Sequence, residues 1–204
     1  MVAKTCSNTG AWFHATAAIT AGHSYTLTLT SHDDNYTGDP TYTLYDDVSL
    51  TTTAPPPTSS GIVNGGFETG SLSGWTLSGA HVAVSTTAHT GADSALLGNT
   101  TPTNGDSSLA QTFTVPSGKS QLGIYYANSC PDTVTYDWAT VTLKDNTAGV
   151  TKTVLPKSCA GSFSWTNVTA SVIAGHSYTL TLTSHDDNYS ADPTYTLYDD
   201  VTLN

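Results

Sequence analysis

The feature that most constrains the fold is a stretch of sequence that occurs twice. Residues 22–50 read GHSYTLTLTSHDDNYTGDPTYTLYDDVSL, and residues 175–203 read GHSYTLTLTSHDDNYSADPTYTLYDDVTL. The copies differ at three pairs of positions: Thr37/Ser190, Gly38/Ala191 and Ser49/Thr202. Each copy alternates apolar and polar residues on both sides of an acidic, turn-rich loop. This pattern predicts two β-strands in each copy.

The repeat extends upstream, so that residues 1–50 align with residues 154–203 without a gap. Cys6 then aligns with Cys159, although agreement before the repeated glycine is weak. Self-similarity over this length predicts a tandem array of modules. We therefore interpret residues 1–50 as the C-terminal part of a truncated module and residues 61–204 as a complete one.

Residues 51–60, TTTAPPPTSS, lie between the two modules. Three consecutive prolines favour an extended polyproline II conformation, which spaces modules apart. We predict a Pro/Thr/Ser linker over this segment.

The composition excludes several classes of function. The net charge is −11, and the only basic side chains besides histidine are five lysines, with no arginine. Nucleic-acid binding depends on Lys and Arg to neutralise phosphates, so the composition argues against it. Binding to an anionic membrane is disfavoured for the same reason. No stretch approaches the ~20 apolar residues of a transmembrane helix.

The distribution of residue types predicts an all-β secreted protein. Charged residues make up 10% of the chain, and Thr, Ser, Asn and Gly replace them at the surface. The N-terminal MVAKTC lacks an apolar core, so we expect a mature or excised fragment. Period-2 alternation predicts strands at 75–77, 82–85, 94–97, 108–115, 121–127, 136–143, 152–155, 165–172, 178–184 and 195–203. Many short strands between turn signals predict a β-sandwich.

The cysteines suit an oxidising compartment. Cys130 and Cys159 both lie in the complete module and can pair with each other. The partner of Cys6 would lie in the missing front half of the first module. We therefore expect Cys6 to be unpaired or to pair with another chain.

Four motifs of the complete module resemble a known group of families. They are VNGGFETG at 63–70, GW at 74–75, AHTGADSAL at 88–96 and YTLYDDV at 195–201. In this order and spacing they resemble carbohydrate-binding module families 4, 9 and 22, as found in repeated accessory modules of secreted actinobacterial hydrolases. The resemblance spans residues 61–203 and implies a galactose-binding-like jelly-roll β-sandwich.

The resemblance also implies a structural calcium ion. The residues that match the family's metal site are Glu68, Asp199 with the adjacent Asp200, and carbonyls around Thr90 to Asp93. Glu68 is the only glutamate in the chain. In the first copy no partner glutamate precedes Asp46, so we expect that metal site to be incomplete.

The strand pattern leads to the same metal prediction. Asp199 shares its parity with Leu197 and Val201, which predicts that its carboxylate points inward. A buried carboxylate needs a partner, and a hard cation with oxygen ligands supplies one where basic residues are scarce. The alternative is a carboxylate that accepts hydrogen bonds from backbone N–H groups.

The acidic loop of the second copy is a further candidate site. It consists of His185, Asp186, Asp187, Asn188 and Tyr189, followed by Asp192. These side chains could bind a second cation or accept hydrogen bonds from sugar hydroxyls. The alternative is a turn that its own Asp and Asn side chains cap.

Aromatic side chains on polar strand faces predict a surface for stacking on sugars. Tyr136 and Trp138 oppose the apolar series of their strand. Tyr125 and Tyr198 likewise oppose the apolar series of theirs. The alternative for Trp138 is packing at the rim of the sandwich. We expect Trp75 and Trp165 to lie in the core.

The sequence therefore favours binding over catalysis. No nucleophile elbow or other catalytic motif frames its histidines and serines, and glycoside hydrolysis needs paired carboxylates across a cleft. The leading hypothesis is a calcium-stabilised accessory module that targets a secreted enzyme to a polysaccharide or other glycan. The alternative is a structural or adhesive extracellular repeat without a sugar site. We also expect residues 1–50 to mediate self-association, because isolated strands expose their edges.

Overall fold

The computed structural model describes residues 17, 24–45, 48 and 59–204. The chain divides into two compact units, Met1–Thr51 and Thr52–Asn204. The predictions for Cys6, for Asp46 and for linker residues 51–58 lie outside the described residues.

In residues 59–204 the second unit contains β-strands and no helix. Its strands are β1 (Ser59–Ser60), β2 (Thr76–Gly79), β3 (Val82–Ser85), β4 (Ser94–Gly98), β5 (Asn104–Thr114), β6 (Gln121–Ser129), β7 (Trp138–Asp145), β8 (Val150–Ser158), β9 (Thr166–Ser171), β10 (Ser177–Asp187) and β11 (Tyr195–Leu203). In the described part of the chain, no helix is long and apolar enough to span a membrane.

The strands form two sheets. The six-stranded sheet has the order β1-β5-β10-β7-β8, with β2 also paired to β5, and the five-stranded sheet has the order β3-β4-β11-β6-β9. All pairings are antiparallel except that of β1 with β5. Each strand predicted between residues 75 and 203 is present, whereas the two strands predicted for the first copy are not assigned in residues 24–45. The prediction missed β1: Ser59 and Ser60, assigned to the linker, pair with Phe113 and Thr114.

The core lies between the sheets and follows the predicted alternation. On β7, Ala139, Val141 and Leu143 are fully buried. On the neighbouring β10, Leu180 and Leu182 are also fully buried, and the residues that alternate with them, 179, 181 and 183, are threonines. The outer face of the six-stranded sheet is therefore largely a threonine surface.

Strand β11 departs from the predicted alternation. Tyr198 pairs with Tyr126, which packs on the core, whereas Asp199 pairs with Tyr125 on the outer face. The register then shifts between Asp199 and Thr202, and Asp200 has a φ of 48°. This irregularity returns Val201 to the core. Asp199 is buried, as predicted, but on the outer face of the sheet and not in the core, because the prediction assumed an unbroken strand.

Two aromatic predictions need correction. Tyr198, predicted on an exposed face, is fully buried, and its hydroxyl donates to the carbonyls of Thr183 and Thr140. It cannot contact a ligand. Trp165, predicted in the core, is half-buried against Phe163 and His89. Trp75 lies in the core as predicted.

The predicted disulfide is confirmed. Cys130 and Cys159 are bonded, with their Cα atoms 5.1 Å apart. The bond ties the end of β6 to the segment after β8. Closing a loop of this size contributes roughly 3–4 kcal/mol in the chain-entropy model.

Candidate functional site

The predicted metal-site residues meet at the turn before β4. Phe67 is fully buried and packs 5.5 Å from the Trp75 ring, which anchors the neighbouring Glu68. The Glu68 carboxylate accepts hydrogen bonds from the N–H groups of Ala92, at 2.9 Å, and Asp93, at 3.0 Å. A Cβ at Gly91 would lie 2.3 Å from the Glu68 carboxylate, so this turn requires glycine.

The paired aspartates hold the other side of the same turn. Asp199 accepts hydrogen bonds from the N–H groups of His89, at 2.8 Å, and Thr90, at 3.3 Å. Asp200 accepts from the Thr90 hydroxyl at 2.8 Å and lies 2.7 Å from His89 Nδ1. Burial raises the pKa of Asp199, and the backbone N–H groups offset part of that rise.

The chemistry of this turn fits both alternatives from the sequence. Backbone N–H groups already satisfy Glu68 and Asp199, as the alternative to a metal predicts. Glu68, Asp199 and Asp200 are not among the acidic groups of three that converge closely enough to share an ion within the described residues. However, Asp199 is fully buried, and burial raises the pKa of its carboxyl despite the hydrogen bonds from these N–H groups.

Four side chains form a row across the outer face of the six-stranded sheet. Asp106 on β5, His185 on β10, Trp138 on β7 and Lys157 on β8 lie on consecutive strands; we call them the aromatic row. His185 Nδ1 is 2.6 Å from Asp106 Oδ1, and the imidazole stacks on Trp138 at 3.8 Å between centroids. Lys157 Nζ lies 3.2 Å from the centre of the Trp138 ring.

The row changes how Trp138 can take part in binding. An imidazole and an ammonium this close to one ring centre must lie on opposite faces, because they would otherwise collide. Both faces of Trp138 are therefore covered, and its edge points outward between β10 and β8. The prediction of an open stacking platform at Trp138 does not hold in this structure.

Threonine hydroxyls extend from the row along the sheet. On β10, Thr183 and Thr181 lie on the same face as His185. On the neighbouring β7, Thr140 and Thr142 lie on the same face as Trp138. Thr183 pairs with Thr140, and Thr181 pairs with Thr142. Further along, Thr179 bonds the Thr112 hydroxyl at 2.9 Å. The face combines threonine hydroxyl groups with the indole, imidazole, ammonium and carboxylate groups of the aromatic row.

The acidic loop of the second copy is self-capped, as one alternative predicted. Asp186 Oδ1 accepts from Asn188 N at 2.9 Å, and Asp187 Oδ1 accepts from Tyr189 N at 2.9 Å. Asp186 Oδ2 also accepts from Thr103 N at 3.0 Å and Thr194 N at 3.2 Å. Asp186 therefore acts as a structural cap that joins two loops.

The predicted ligand residues fall into separate places. Tyr125 lies on the five-stranded sheet, where it stacks on His89 at 3.7 Å. Tyr136 is exposed at the start of the β7 region and, with Tyr189, lines a cavity of about 270 Å³. Only Trp138 and His185 of the predicted set contact each other in the row.

Several candidate residues were missed by sequence reasoning. Asp106 and Lys157 join the row through strand pairing, which the sequence does not show. Asp132 and Asp137 line or adjoin the cavity together with Asp187. The two aspartates that closely follow Cys130 were a usable signal, because the chain has so few charged residues.

Comparison with known proteins identifies the fold. No protein-family model matches the chain, and no curated protein matches it. Among solved structures, a family 61 carbohydrate-binding module in complex with β-1,4-galactotriose is similar with a TM-score of 0.54 and 20% identity, over 70% of this chain and 96% of that one. A family 16 carbohydrate-binding module gives a TM-score of 0.50 and 13% identity, over 70% of this chain and 98% of that one.

These similarities confirm the predicted fold. The second unit is an all-β jelly-roll sandwich with the architecture of carbohydrate-binding modules, as the sequence resemblance implied.

Proposed function

We propose that the second unit is a non-catalytic carbohydrate-binding module that binds glycan on the outer face of its six-stranded sheet. The observation that carries the proposal is the aromatic row on an otherwise threonine-lined face. The similarity to a galactotriose-bound module makes β-1,4-linked galactan the first ligand to test.

The row offers the groups that sugar recognition uses. Aromatic side chains bury an apolar face or edge and keep a polar atom free. Asp106 accepts hydrogen bonds, Lys157 donates them, and the threonine hydroxyls do both. The Asp106–His185 contact fixes the imidazole orientation, so little freedom is lost on binding.

The row is unsuited to glycoside hydrolysis. That reaction needs two carboxyl groups on opposite sides of the scissile bond. The row holds a single carboxylate, Asp106, and it is already engaged by His185. We infer binding without turnover.

Affinity measurements with matched variants test this surface. Isothermal titration with β-1,4-galactotriose, beside a pull-down on insoluble polysaccharides, measures binding by the full chain. Trp138→Ala should weaken binding by more than about tenfold, because the ring holds the His185 imidazole on one face and the Lys157 ammonium on the other. Tyr125→Ala, on the other sheet, is the control and should leave affinity unchanged. Equal affinity of Trp138→Ala and the unsubstituted chain would place the ligand elsewhere.

Calcium at the turn before β4 is also part of the proposal. We infer that Ca²⁺ compensates the buried Asp199 charge, with Glu68, Asp200 and carbonyls between Thr90 and Asp93 as oxygen ligands. Added Ca²⁺ should raise the melting temperature of the chain relative to excess chelator. Glu68→Gln should reduce that rise. A melting temperature that is the same in Ca²⁺ and in chelator would contradict this calcium site.

The setting of the module follows from the same proposal. A disulfide persists in oxidising compartments, and Cys130–Cys159 therefore supports an extracellular location. We propose that the module targets an attached secreted enzyme to its polysaccharide.

A second candidate function is self-association through the first unit. The described residues 24–45 expose Leu27, Leu29, Tyr42 and Leu44, which are large apolar side chains. Such residues favour burial against another chain. Light scattering should then give a mass above that of the monomer for the full chain, and the monomer mass for a fragment that starts at Thr52. Monomeric masses for both would dismiss this function.

A further inference from the structure

We propose that Asp132, Asp137, Asp187 and Asp192 form a binding site for a divalent cation of the calcium type. The site joins the loop between β6 and β7 to the loop between β10 and β11. It is distinct from the turn that holds Glu68 and Asp199, and it does not depend on carbohydrate binding.

The geometry of three of these residues suits one ion. Asp132, Asp137 and Asp187 each offer a carboxylate oxygen, and these oxygens all lie within 4.8 Å of one another. Calcium ligands sit 2.3–2.6 Å from the ion, so oxygens on opposite sides of one ion are about 5 Å apart. The three oxygens are therefore already close enough to share a single cation.

A buried, unpartnered oxygen shows that the cluster is more than a group of surface acids. Asp137 is fully buried. Its Oδ1 accepts a hydrogen bond from Asp187 N at 2.8 Å, but its Oδ2 has no hydrogen-bond partner. An unsatisfied buried carboxylate oxygen is costly, because it has lost its hydration without replacement. A cation among the three carboxylates would supply the missing partner.

Asp192 adds a fourth acidic group with the same deficit. Its Oδ1 is buried and has no hydrogen-bond partner. Burial raises the pKa of Asp192, and the nearby charges of Asp132 and Asp187 raise it further. Burial likewise raises the pKa of Asp137. The negative charges of these carboxylates repel one another, and a bound cation would neutralise them.

The donor set indicates which cation fits. All four groups are carboxylates, and hard cations such as Ca²⁺ prefer oxygen ligands, whereas zinc prefers His and Cys. Asp132, Asp187 and Asp192 also line the cavity of about 270 Å³ beside Tyr136 and Tyr189, which leaves room for water to complete the coordination shell. Extracellular modules bind Ca²⁺ with dissociation constants on the order of 10⁻⁴–10⁻³ M.

The first copy supplies an internal control. Asp34 and Asp39 occupy the places of Asp187 and Asp192 in the repeat. Asp34 makes the same local bond, accepting from Tyr36 N at 3.0 Å where Asp187 accepts from Tyr189 N at 2.9 Å. The repeat does not include counterparts of Asp132 and Asp137. Matched substitutions in the two copies therefore separate a cation site from an acidic turn.

Terbium luminescence on the full chain tests the proposal. Tb³⁺ substitutes for Ca²⁺, and excitation of Tyr136 and Tyr189 should sensitise its emission. The chain should show this emission and lose it on addition of Ca²⁺. Asp132→Asn, at a half-exposed loop position, should weaken Tb³⁺ binding by at least about tenfold. Asp137→Asn should do the same and keep its Oδ1 contact to Asp187 N. Asp34→Asn should have no effect.

Calorimetric counting of bound Ca²⁺ separates this site from the turn at Glu68. Asp132→Asn should bind one equivalent fewer than the unsubstituted chain, whether or not Glu68 contributes a second site. Glu68→Gln should leave the tyrosine-sensitised emission intact. Unchanged emission and unchanged Ca²⁺ stoichiometry in Asp132→Asn and Asp137→Asn, with circular dichroism showing folded protein, would overturn the proposal. So would an effect of Asp34→Asn equal to that of Asp132→Asn.

Discussion

The two copies of the repeated stretch make the same local contacts. In the first unit the Tyr45 hydroxyl donates to Thr30 O at 2.7 Å, and in the second the Tyr198 hydroxyl donates to Thr183 O at 2.7 Å. Asp33 caps Asn35 N and Thr41 N as Asp186 caps Asn188 N and Thr194 N. These pairs occupy matching places in the repeat. The hydrogen bonds made within the repeat are therefore determined by the sequence of the repeat itself.

The two copies differ in everything that depends on the rest of a module. Tyr45 is 48% exposed and Tyr198 is 0% exposed; Leu27 is 66% exposed and its counterpart Leu180 is 0% exposed. The described residues 24–45 contain no assigned strand, whereas β10 pairs with β5 and β7 along its length. Strand formation and burial therefore come from partners supplied elsewhere in the chain.

The largest expected contrast is in the core tyrosine. Tyr198→Ala should destabilise the second unit by about 3–5 kcal/mol, because it removes a buried aromatic ring and leaves a cavity. Tyr45→Ala should change stability by no more than about 0.5 kcal/mol, as is usual for an exposed site. Urea unfolding of the full chain, followed by its tryptophan fluorescence, measures both. Equal losses would mean that the two copies are packed alike.

The loop cap should show a smaller contrast. Asp186→Ala leaves the N–H groups of Thr103 and Thr194 without their acceptor, and each such loss costs about 1–3 kcal/mol when buried. Asp33→Ala also removes an acceptor, but the N–H groups that it leaves are exposed and can donate to water instead. The same unfolding experiment should detect a change only for Asp186→Ala. A comparable loss for Asp33→Ala would show that the first loop is also buried in solution.

Acidic pH should have different effects on the stability of the second unit with and without bound metal. Burial raises the pKa of Asp137, Asp192 and Asp199 above the ordinary value of an aspartate. The folded state then binds protons more tightly than the unfolded state, so stability increases as pH falls from 7 towards 4. Calcium competes with those protons and should abolish the increase.

Melting temperatures in chelator and in Ca²⁺ across this pH range measure the effect. Asp137→Asn should flatten part of the pH dependence in chelator, since it removes one of the three groups. A melting temperature that falls steadily from pH 7 to pH 5 in chelator would contradict the expected sign. Below pH 4 a separate loss begins, because burial of Asp145 is outweighed by hydrogen bonds from His176 and Ala148, which hold its pKa at about 2.

Sequence pattern was sufficient for the features that depend on alternation and local chemistry. The alternating residues of β7 and β10 and the pairing of Cys130 with Cys159 follow from the sequence. The orientation of Asp199 and the burial of Tyr198 did not, because a register shift in β11 exchanges the two faces. Periodicity assumes a regular strand and cannot locate such a shift.

The candidate sites show the same limit. Trp138 was found because aromatic residues on a polar face are unusual, and His185 because it belongs to the acidic loop of the second copy. Asp106 and Lys157 complete the row only through the pairing of four strands, which depends on contacts distant in sequence. Asp132 and Asp137 meet Asp187 for the same reason. Residue types at a site were thus easier to predict than their neighbours.

Glycan binding by a matched pair of variants tests the central claim most directly. His185 and His32 occupy the same place in the two copies, but of the two only His185 lies in the aromatic row with Asp106 and Trp138. Titration with β-1,4-galactotriose should show that His185→Ala weakens binding by about tenfold and that His32→Ala leaves it unchanged. Equal affinities for the two variants, or no binding of any glycan by the unsubstituted chain, would contradict the account.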